Sequence, residues 1–302
     1  MELCFEHLCP VGFSDRAFLQ EALSQHPEKQ SCECAEANLF LWRESYGEKF
    51  LAVNGRFWVI ETRSGVPHFP IGKPFSPAEL YELALRAAAA GFRAEFYDVP
   101  ESYAADPEVL RYFEVGQDED ESDYLYDLQQ LANLDGAKLR KKRNLVKQFE
   151  HNHPDAELHM VTGENLPELL DFARRMNRAA APAEFLEDES VAMTGLSRFF
   201  RELDMGGVLL KLFDGTVAGF SIFSRMADKE TFDIHFEKAD HTVKGAPQFL
   251  LVKTAETLLS CGGRWMNREQ DMGEPGLRQA KRSLDPCGMI RRFYLTARKE
   301  VV

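Results

Sequence analysis

The sequence lacks the features of a membrane-spanning or secreted protein. It has no apolar run near the roughly 20 residues that a spanning helix needs. Its first ten residues, MELCFEHLCP, show neither a basic start nor a long apolar core. Cysteine is scarce, with six in 302 residues, and a chain of this length buries a core without disulfides. We therefore expect a cytoplasmic protein with reduced thiols and no integral membrane segment.

Several motifs of common enzyme classes are also missing. The sequence contains no P-loop, no G-x-G-x-x-G, no H-E-x-x-H and no nucleophile elbow, so covalent catalysis by Ser or Cys has no support. Cys32 and Cys34 form a C-x-C pair with Cys4 and Cys9 upstream, but this spacing matches no standard zinc motif. Free thiols are the simpler interpretation, and we predict no metal ligand.

Basic residues are fewer than acidic residues, and the whole imbalance lies in the first part of the chain. The formal net charge is -13, which argues against a general polyanion binder. Residues 1–123 hold 23 acidic and 10 basic residues, whereas residues 124–302 hold 26 of each. The acidic run from Asp118 to Asp123 is interpreted as a solvated loop or linker. It separates two predicted lobes, 1–118 and 119–302.

A hairpin pattern occurs twice. Residues 49–61 form two strand-like runs around Asn54-Gly55, and residues 208–223 form two more around Asp214-Gly215. Both dipeptides favour a type I′ turn, and the flanks are rich in β-branched and aromatic residues. The pattern predicts a β-hairpin in each half of the chain.

The segments after the two hairpins also correspond. Each hairpin is followed by an extended stretch, then a helix (from about Pro77 to Gly91, and from about Ala246 to Ser260), then a strand. This order, repeated at a separation of 160 residues, favours two copies of one lobe. Two unrelated α/β domains that each contain a hairpin are the alternative.

A basic cluster follows the acidic run. Six of the ten residues from Lys138 to Lys147 are Lys or Arg. On a helix these cations form an anion site for phosphates of a cofactor, an RNA or a lipid headgroup, or else a solvated face. The residues assigned to donor phosphates are Lys138, Lys142, Arg143 and Asn144.

A second anion site is predicted in the loop before the helix at 246. The unpaired N–H groups of a helix start attract anions, Gly245 permits close approach, and Lys244 adds a charge. We therefore assign Lys244, Gly245 and Ala246 to the same donor. A plain strand-to-helix connection is the alternative.

The densest polar segment, residues 267–282, directly follows a predicted central strand, where α/β sheets bind ligands. Glu269 or Asp271 would act as a base or orient an acceptor, while Arg278 and Lys281 would stabilise an oxyanion. The same charges could instead form a structural salt-bridge network.

Several of these segments resemble the C-terminal domain of bacterial phosphatidylglycerol lysyltransferases. They are residues 124–131, 136–144, 235–239 and 267–281. The resemblance implies an α+β fold of tandem GNAT-like lobes, shared with Fem-type peptidoglycan aminoacyltransferases, each with a mixed, mostly antiparallel sheet flanked by helices. Within these segments, the residues assigned to substrate binding are His235, Lys238, Asn267 and Arg268.

The resemblance and the motifs together suggest an acyl- or aminoacyl-transferase. No resident cofactor is required, because aminoacyl-tRNA or a CoA thioester would enter as the donor substrate; residues 242–247 match the acetyl-CoA loop of GNAT enzymes only in part. The acceptor would be an amine or hydroxyl, on a small molecule or a lipid headgroup. A non-catalytic protein of the same fold that binds a phosphorylated metabolite or RNA is the main alternative, and an interaction scaffold is a further one.

Overall fold

The structure is a computed structural model that describes residues 5–179 and 184–300. The α-helices in chain order are α1 Arg16–Gln25, α2 Glu36–Leu41, α3 Arg43–Tyr46, α4 Pro77–Ala89, α5 Glu101–Ala104, α6 Val109–Tyr112, α7 Leu128–Asn133, α8 Arg140–Asn152, α9 Leu166–Ala179, α10 Glu184–Phe199, α11 Ala246–Ser260 and α12 Pro275–Arg282. The strands in chain order are β1 Glu48–Val53, β2 Arg56–Glu61, β3 Val66–Pro67, β4 Glu95–Pro100, β5 Phe113–Asp127, β6 Glu157–Met160, β7 Gly206–Lys211, β8 Val217–Arg225, β9 Thr231–Ala239, β10 Trp265–Asn267 and β11 Gly288–Ala297.

The chain divides into two compact units. Unit 1 comprises the residues up to Ser122 together with those from Ile290 onward, and unit 2 runs from Asp123 to Met289. The sequence predicted lobes of residues 1–118 and 119–302. In the structure the boundary falls after Ser122, and the residues from Ile290 onward belong to unit 1.

Unit 1 is built around the first predicted hairpin. Strands β1 and β2 pair antiparallel, and the turn between them has φ values of 48° at Asn54 and 76° at Gly55, as a type I′ turn requires. Helix α4 begins with a capping box in which the Ser76 hydroxyl accepts from the Glu79 N–H and Glu79 binds back to Ser76. The apolar face of α4 and the hairpin share one buried core with Phe96.

Unit 2 contains a sheet with strand order β5-β10-β9-β8-β7-β6. Strands β9 and β10 are parallel, and each of the other neighbouring pairs is antiparallel. Helix α11, whose Leu250, Ala255 and Leu258 are fully buried, shares the core with the strands. Because β9 and β10 are parallel, residues 237–239 and 267–271 lie at the same edge of the sheet.

The second hairpin has a different turn from the one predicted. Gly215 has a φ of 83°, but Asp214 has no positive φ, so the expectation of a type I′ turn was wrong here. The loop spans Leu212 to Thr216 and is closed by a hydrogen bond of 2.9 Å from the Leu212 N–H to the Thr216 carbonyl. A register shift beside it, between Leu210 and Lys211, accommodates the extra length.

The acidic run at 118–123 is not a loop, although the boundary between the two units falls inside it, after Ser122. It lies inside β5, which continues from unit 1 into unit 2. Glu119 and Asp120 point to solvent, whereas Ser122 and Asp123 are buried. The interpretation as a solvated loop was wrong, because a strand can carry adjacent acidic side chains at exposed positions.

Gly245 is expected to tolerate alanine poorly. Its φ is 86°, and an added Cβ would collide with the backbone carbonyl of Leu145 in α8. Gly215→Ala is the matched control, since Gly215 has a φ of 83° but open space around it. We expect Gly245→Ala to lower the free energy of unfolding by about 1 to 2 kcal/mol more than Gly215→Ala, as measured by urea denaturation. Equal losses of unfolding free energy in the two variants would show that helix α8 moves away from the added methyl group without an energetic penalty.

Candidate functional site

The polar segment after β10 is a strained loop tied to the sheet. Glu269, Met272 and Gly273 all have positive φ, at 57°, 53° and 73°. The side chain of Asn267 anchors its start, because Oδ1 accepts from the Glu269 N–H at 2.6 Å and Nδ2 donates to Asp123 at 2.9 Å. The start of the loop is therefore tied to the sheet by one buried and one partly buried hydrogen bond.

Asp271 is the centre of a hydrogen-bond network. Arg278 binds both of its carboxylate oxygens, at 2.8 and 2.7 Å. Tyr124 donates its hydroxyl to Oδ2 at 2.6 Å, and the Gly273 N–H donates to Oδ1 at 3.0 Å. The hydrogen bonds from Arg278 lower the pKa of Asp271 to about 2. A carboxylate so stabilised is a poor general base, so the geometry does not suit that part of the prediction.

Lys281 is buried and positions the same loop. Its ammonium donates to the backbone carbonyls of Arg268 and Glu269, and the carbonyl of Lys281 itself accepts the Tyr126 hydroxyl at 2.9 Å. Lys281 also lines the cavity described below. It can therefore orient the loop and supply positive charge to a ligand.

A cavity of about 420 Å³ opens beside this loop. Four cations and one carboxylate are among the side chains that line it: Lys142, Lys238, Arg268, Lys281 and Glu237. The remaining walls are mostly apolar or neutral and include the first turn of α11. The surplus of positive charge favours a ligand with an anionic group.

Within the cavity, two of the cations are paired with carboxylates. Arg268 Nη2 lies 2.6 Å from Glu237 Oε1, and Lys238 Nζ lies 2.8 Å from Glu189 Oε1. Lys142 instead donates to the neutral Ser283 hydroxyl at 2.9 Å, and burial together with the charge of Arg268 lowers its pKa. An ammonium beside a neutral partner keeps its charge available to a bound anion.

The predicted donor site on the basic helix contributes only Lys142 to this cavity. Lys138 forms an exposed ion pair with Asp285 at 2.6 Å, and Arg143 donates to the carbonyls of Leu134 and Gly136. Asn144 is exposed. Arg143 thus stabilises the turn between α7 and α8, and the structure does not bring the four residues together.

The three residues of the anion site predicted before α11 do not form one site in the structure. Lys244 is exposed, and Ala246 is buried in the core. The backbone that approaches Gly245 is the Leu145 carbonyl of α8. The glycine therefore serves helix packing, and the expectation that it admits a ligand has no support.

His235 and Glu269 belong to a separate buried group. His235 Nδ1 lies 3.4 Å from Asp233 Oδ2 and 3.8 Å from Glu269 Oε1, and its Nε2 lies 2.8 Å from the Ser224 hydroxyl. Three donor atoms of Asp233, His235 and Glu269 lie close enough to hold a cation. None of these residues lines the cavity, so substrate contact by His235 stays a prediction.

The cysteines are free thiols wherever the structure describes them. Cys32 and Cys34 are buried and Cys9 is exposed, while Cys4 lies outside the described residues. The clusters of metal-ligating side chains within 5–179 and 184–300 include no cysteine.

Sequence reasoning missed the residues that complete the site. Glu237 lies within the segment 235–239, but its sequence position indicated no role, because its place in the cavity wall depends on the register of β9 against β10. Tyr124 reaches Asp271 from 147 positions away. Such a contact has no local sequence signal.

Among the described residues, no helix combines the length and apolarity that crossing a bilayer requires.

Solved structures with the same architecture support the fold class. A conserved protein of unknown function from Bacteroides thetaiotaomicron is 24% identical, with 97% of this chain and 99% of that chain covered and a TM-score of 0.84. L-PGS from Bacillus licheniformis is 16% identical, with 99% and 94% covered and a TM-score of 0.70. An acetyltransferase of the GNAT family from Colwellia psychrerythraea is 13% identical, with 97% and 98% covered and a TM-score of 0.53. The predicted α+β GNAT-like fold is confirmed.

The family follows from the sequence match. No curated protein sequence matches the chain at a significant level. Residues 25–296, however, match the family described as phosphatidylglycerol lysyltransferase, C-terminal. Together with the fold, this supports an activity of the acyl- or aminoacyl-transferase type. The chain belongs to the family of phosphatidylglycerol lysyltransferase C-terminal domains.

Proposed function

We propose that the protein transfers an acyl or aminoacyl group from a phosphate-bearing activated ester or thioester to an amine or hydroxyl acceptor, in the cavity of unit 2. The observation that carries this proposal is the cation-rich lining of that cavity, in which four cations and one carboxylate take part: Lys142, Lys238, Arg268, Lys281 and Glu237. Aminoacyl-tRNA and acyl-CoA share the required donor chemistry, namely a reactive carbonyl joined to a phosphorylated carrier.

The reaction needs no covalent enzyme intermediate. The acceptor nitrogen or oxygen attacks the donor carbonyl carbon and forms a tetrahedral intermediate, and the bond from that carbon to the carrier oxygen or sulfur then breaks. The proton lost by the acceptor ends on the carrier hydroxyl or thiol. Glu237 is better placed to relay that proton than Asp271, because Glu237 lines the cavity and Arg268 binds one of its oxygens, whereas both oxygens of Asp271 accept hydrogen bonds and Asp271 is not in the lining.

The cations have two roles in this scheme. Lys142, beside the neutral Ser283 hydroxyl, binds the developing oxyanion or a donor phosphate. Arg268 holds Glu237 Oε1 at 2.6 Å and so fixes the carboxylate in the cavity wall. A lipid headgroup acceptor, such as phosphatidylglycerol, is consistent with the family.

The test measures transfer with purified protein. Labelled aminoacyl-tRNA and acyl-CoA are offered separately, with phosphatidylglycerol vesicles or small amines as acceptors. We expect Lys142→Met and Glu237→Gln each to lower kcat/KM by about ten- to a hundredfold, because each loses charge stabilisation or proton transfer. Lys141→Met is the matched control, since Lys141 is the exposed neighbour of Lys142 on the same helix, and its kcat/KM should stay within about twofold.

Two outcomes would contradict the proposal. Wild-type rates in both cavity variants would show that the chemistry occurs elsewhere. Thermal stabilisation by CoA derivatives or tRNA, without turnover for any acceptor, would instead support the non-catalytic binding protein.

A further inference from the structure

A cluster of ionisable side chains lies inside unit 1. Glu33 lies in a short 3-10 turn, Cys32–Cys34, His68 follows β3, and Asp98 lies in β4. One donor atom from each of the three lies within 4.8 Å of the other two. The closest pair, His68 Nδ1 and Asp98 Oδ2, is 2.5 Å apart. Three segments distant in sequence therefore converge on one point.

A small cavity adjoins this cluster. Its volume is about 20 Å³, and Glu33, His68 and Asp98 all line it. A space of this size holds a single water molecule or ion. His26 and Cys34 also line it, together with apolar side chains such as Leu39 and Phe69.

A third carboxyl group, that of Glu48, is buried near this cluster. Glu48, only 6% exposed, interacts electrostatically with Glu33, His68 and Asp98. Its Oε2 is buried and has no hydrogen-bond partner. A buried carboxyl oxygen without a hydrogen bond is costly, and a nearby divalent cation would offset that cost.

Arg292 of β11 orients the two acidic groups of the cluster. Its Nη1 lies 2.7 Å from Asp98 Oδ1 and 3.0 Å from Glu33 Oε1, and its Nη2 donates to the Cys32 sulfur at 2.8 Å. This leaves Asp98 Oδ2 directed at His68. Hydrogen bonds that fix carboxylate ligands from behind are typical of metal sites. Asp98 also has a φ of 57° inside a strand, a strained conformation of the kind found at binding sites.

We propose that Glu33, His68 and Asp98 bind one divalent transition-metal ion. One imidazole nitrogen and two carboxylate oxygens suit Zn²⁺, Mn²⁺, Fe²⁺ or Co²⁺. The ion takes the place of a proton between His68 and Asp98, and their separation widens to the distance of two ligands on one metal. The site is independent of the transfer reaction proposed for unit 2.

The test titrates the chelator-treated full chain with Co²⁺ and follows visible d–d absorption. We expect saturation at one equivalent. His68→Ala and Glu33→Gln should each weaken the apparent affinity at least tenfold. His235→Ala is the matched control, because it removes the imidazole of the other described carboxylate–histidine cluster, and it should leave this binding unchanged.

Three results would overturn the proposal. The first is a folded wild-type chain with no absorption change in excess Co²⁺. The second is a spectrum dominated by thiolate charge transfer, which would place the ion on cysteines. The third is loss of binding in His235→Ala with His68→Ala unaffected. If circular dichroism shows that His68→Ala does not fold, Glu33→Gln decides the question, because Glu33 is half-buried in a short turn.

Discussion

Asp271→Ala is expected to lower the free energy of unfolding by about 3 to 5 kcal/mol at pH 7, the largest loss among the substitutions considered. Asp271 is 1% exposed and accepts hydrogen bonds from Arg278, Tyr124 and the Gly273 backbone. Alanine would leave the Arg278 guanidinium and the Tyr124 hydroxyl without this acceptor. The loop between β10 and α12 would lose the group around which it closes.

The measurement is urea denaturation of both proteins as a function of pH. The pKa of Asp271 is held at about 2, below its ordinary value of 3.8. The native carboxylate therefore binds fewer protons than the unfolded one between these values. The stabilisation is complete above about pH 4 and is lost as the pH falls through about 2. The difference in the free energy of unfolding between the wild type and Asp271→Ala should therefore shrink as the pH falls from about 4 to about 2.

Asp171→Ala supplies the control for this prediction. Asp171 also pairs with an arginine, Arg174, at 2.5 Å, but both side chains are more than half exposed. A surface pair of this kind contributes about 0 to 1 kcal/mol. Similar losses in the two variants would contradict the view that Asp271 organises the site.

Glu48→Gln is expected to act in the opposite direction and to raise the free energy of unfolding of unit 1 by about 3 kcal/mol at pH 7. Burial raises the pKa of Glu48 to about 8 from an ordinary value of 4.5. Between these values the native state holds a proton that the unfolded state has released. Wild-type stability therefore falls as the pH rises through this window, whereas glutamine does not titrate.

Thermal or urea unfolding of chelator-treated protein from pH 4 to pH 9 checks this expectation. The advantage of the variant should be absent near pH 4 and grow up to about pH 8. Glu61→Gln is the matched control, because Glu61 is the cross-strand partner of Glu48 but is only half-buried. A loss of stability in Glu48→Gln at pH 7 would mean that the Glu48 carboxylate has a stabilising partner.

Local patterns predicted the elements of the fold well. The Asn54-Gly55 turn and the bounds of α11, Ala246–Ser260, agree with the structure because both depend on short-range backbone preferences. The Asp214-Gly215 turn differs, since the same type of dipeptide also fits a longer loop when the register shifts beside it. The acidic run in β5 was misread because composition carries no information on strand pairing.

The candidate site was predicted only in outline. The segment 267–281 was placed correctly at the edge of the sheet, since a polar run after a buried strand marks that position. The roles of its residues depend on distant partners: Tyr124 binds Asp271, and Lys142 reaches the cavity from α8. A single sequence gives no measure of these contacts, so Asp271, whose carboxylate is already paired with Arg278, was among the residues assigned as a base.

The two units differ in when synthesis of the chain supplies all of their strands. Unit 2 is one continuous segment, Asp123–Met289, but unit 1 needs β11, which is synthesised only after nearly all of unit 2. Until then, Glu33 and Asp98 lack Arg292, and the nascent first unit exposes an open strand edge on β4. The N-terminal part of unit 1 consequently completes its fold only after unit 2 has been synthesised, and until then its strand edge is open to incorrect pairing.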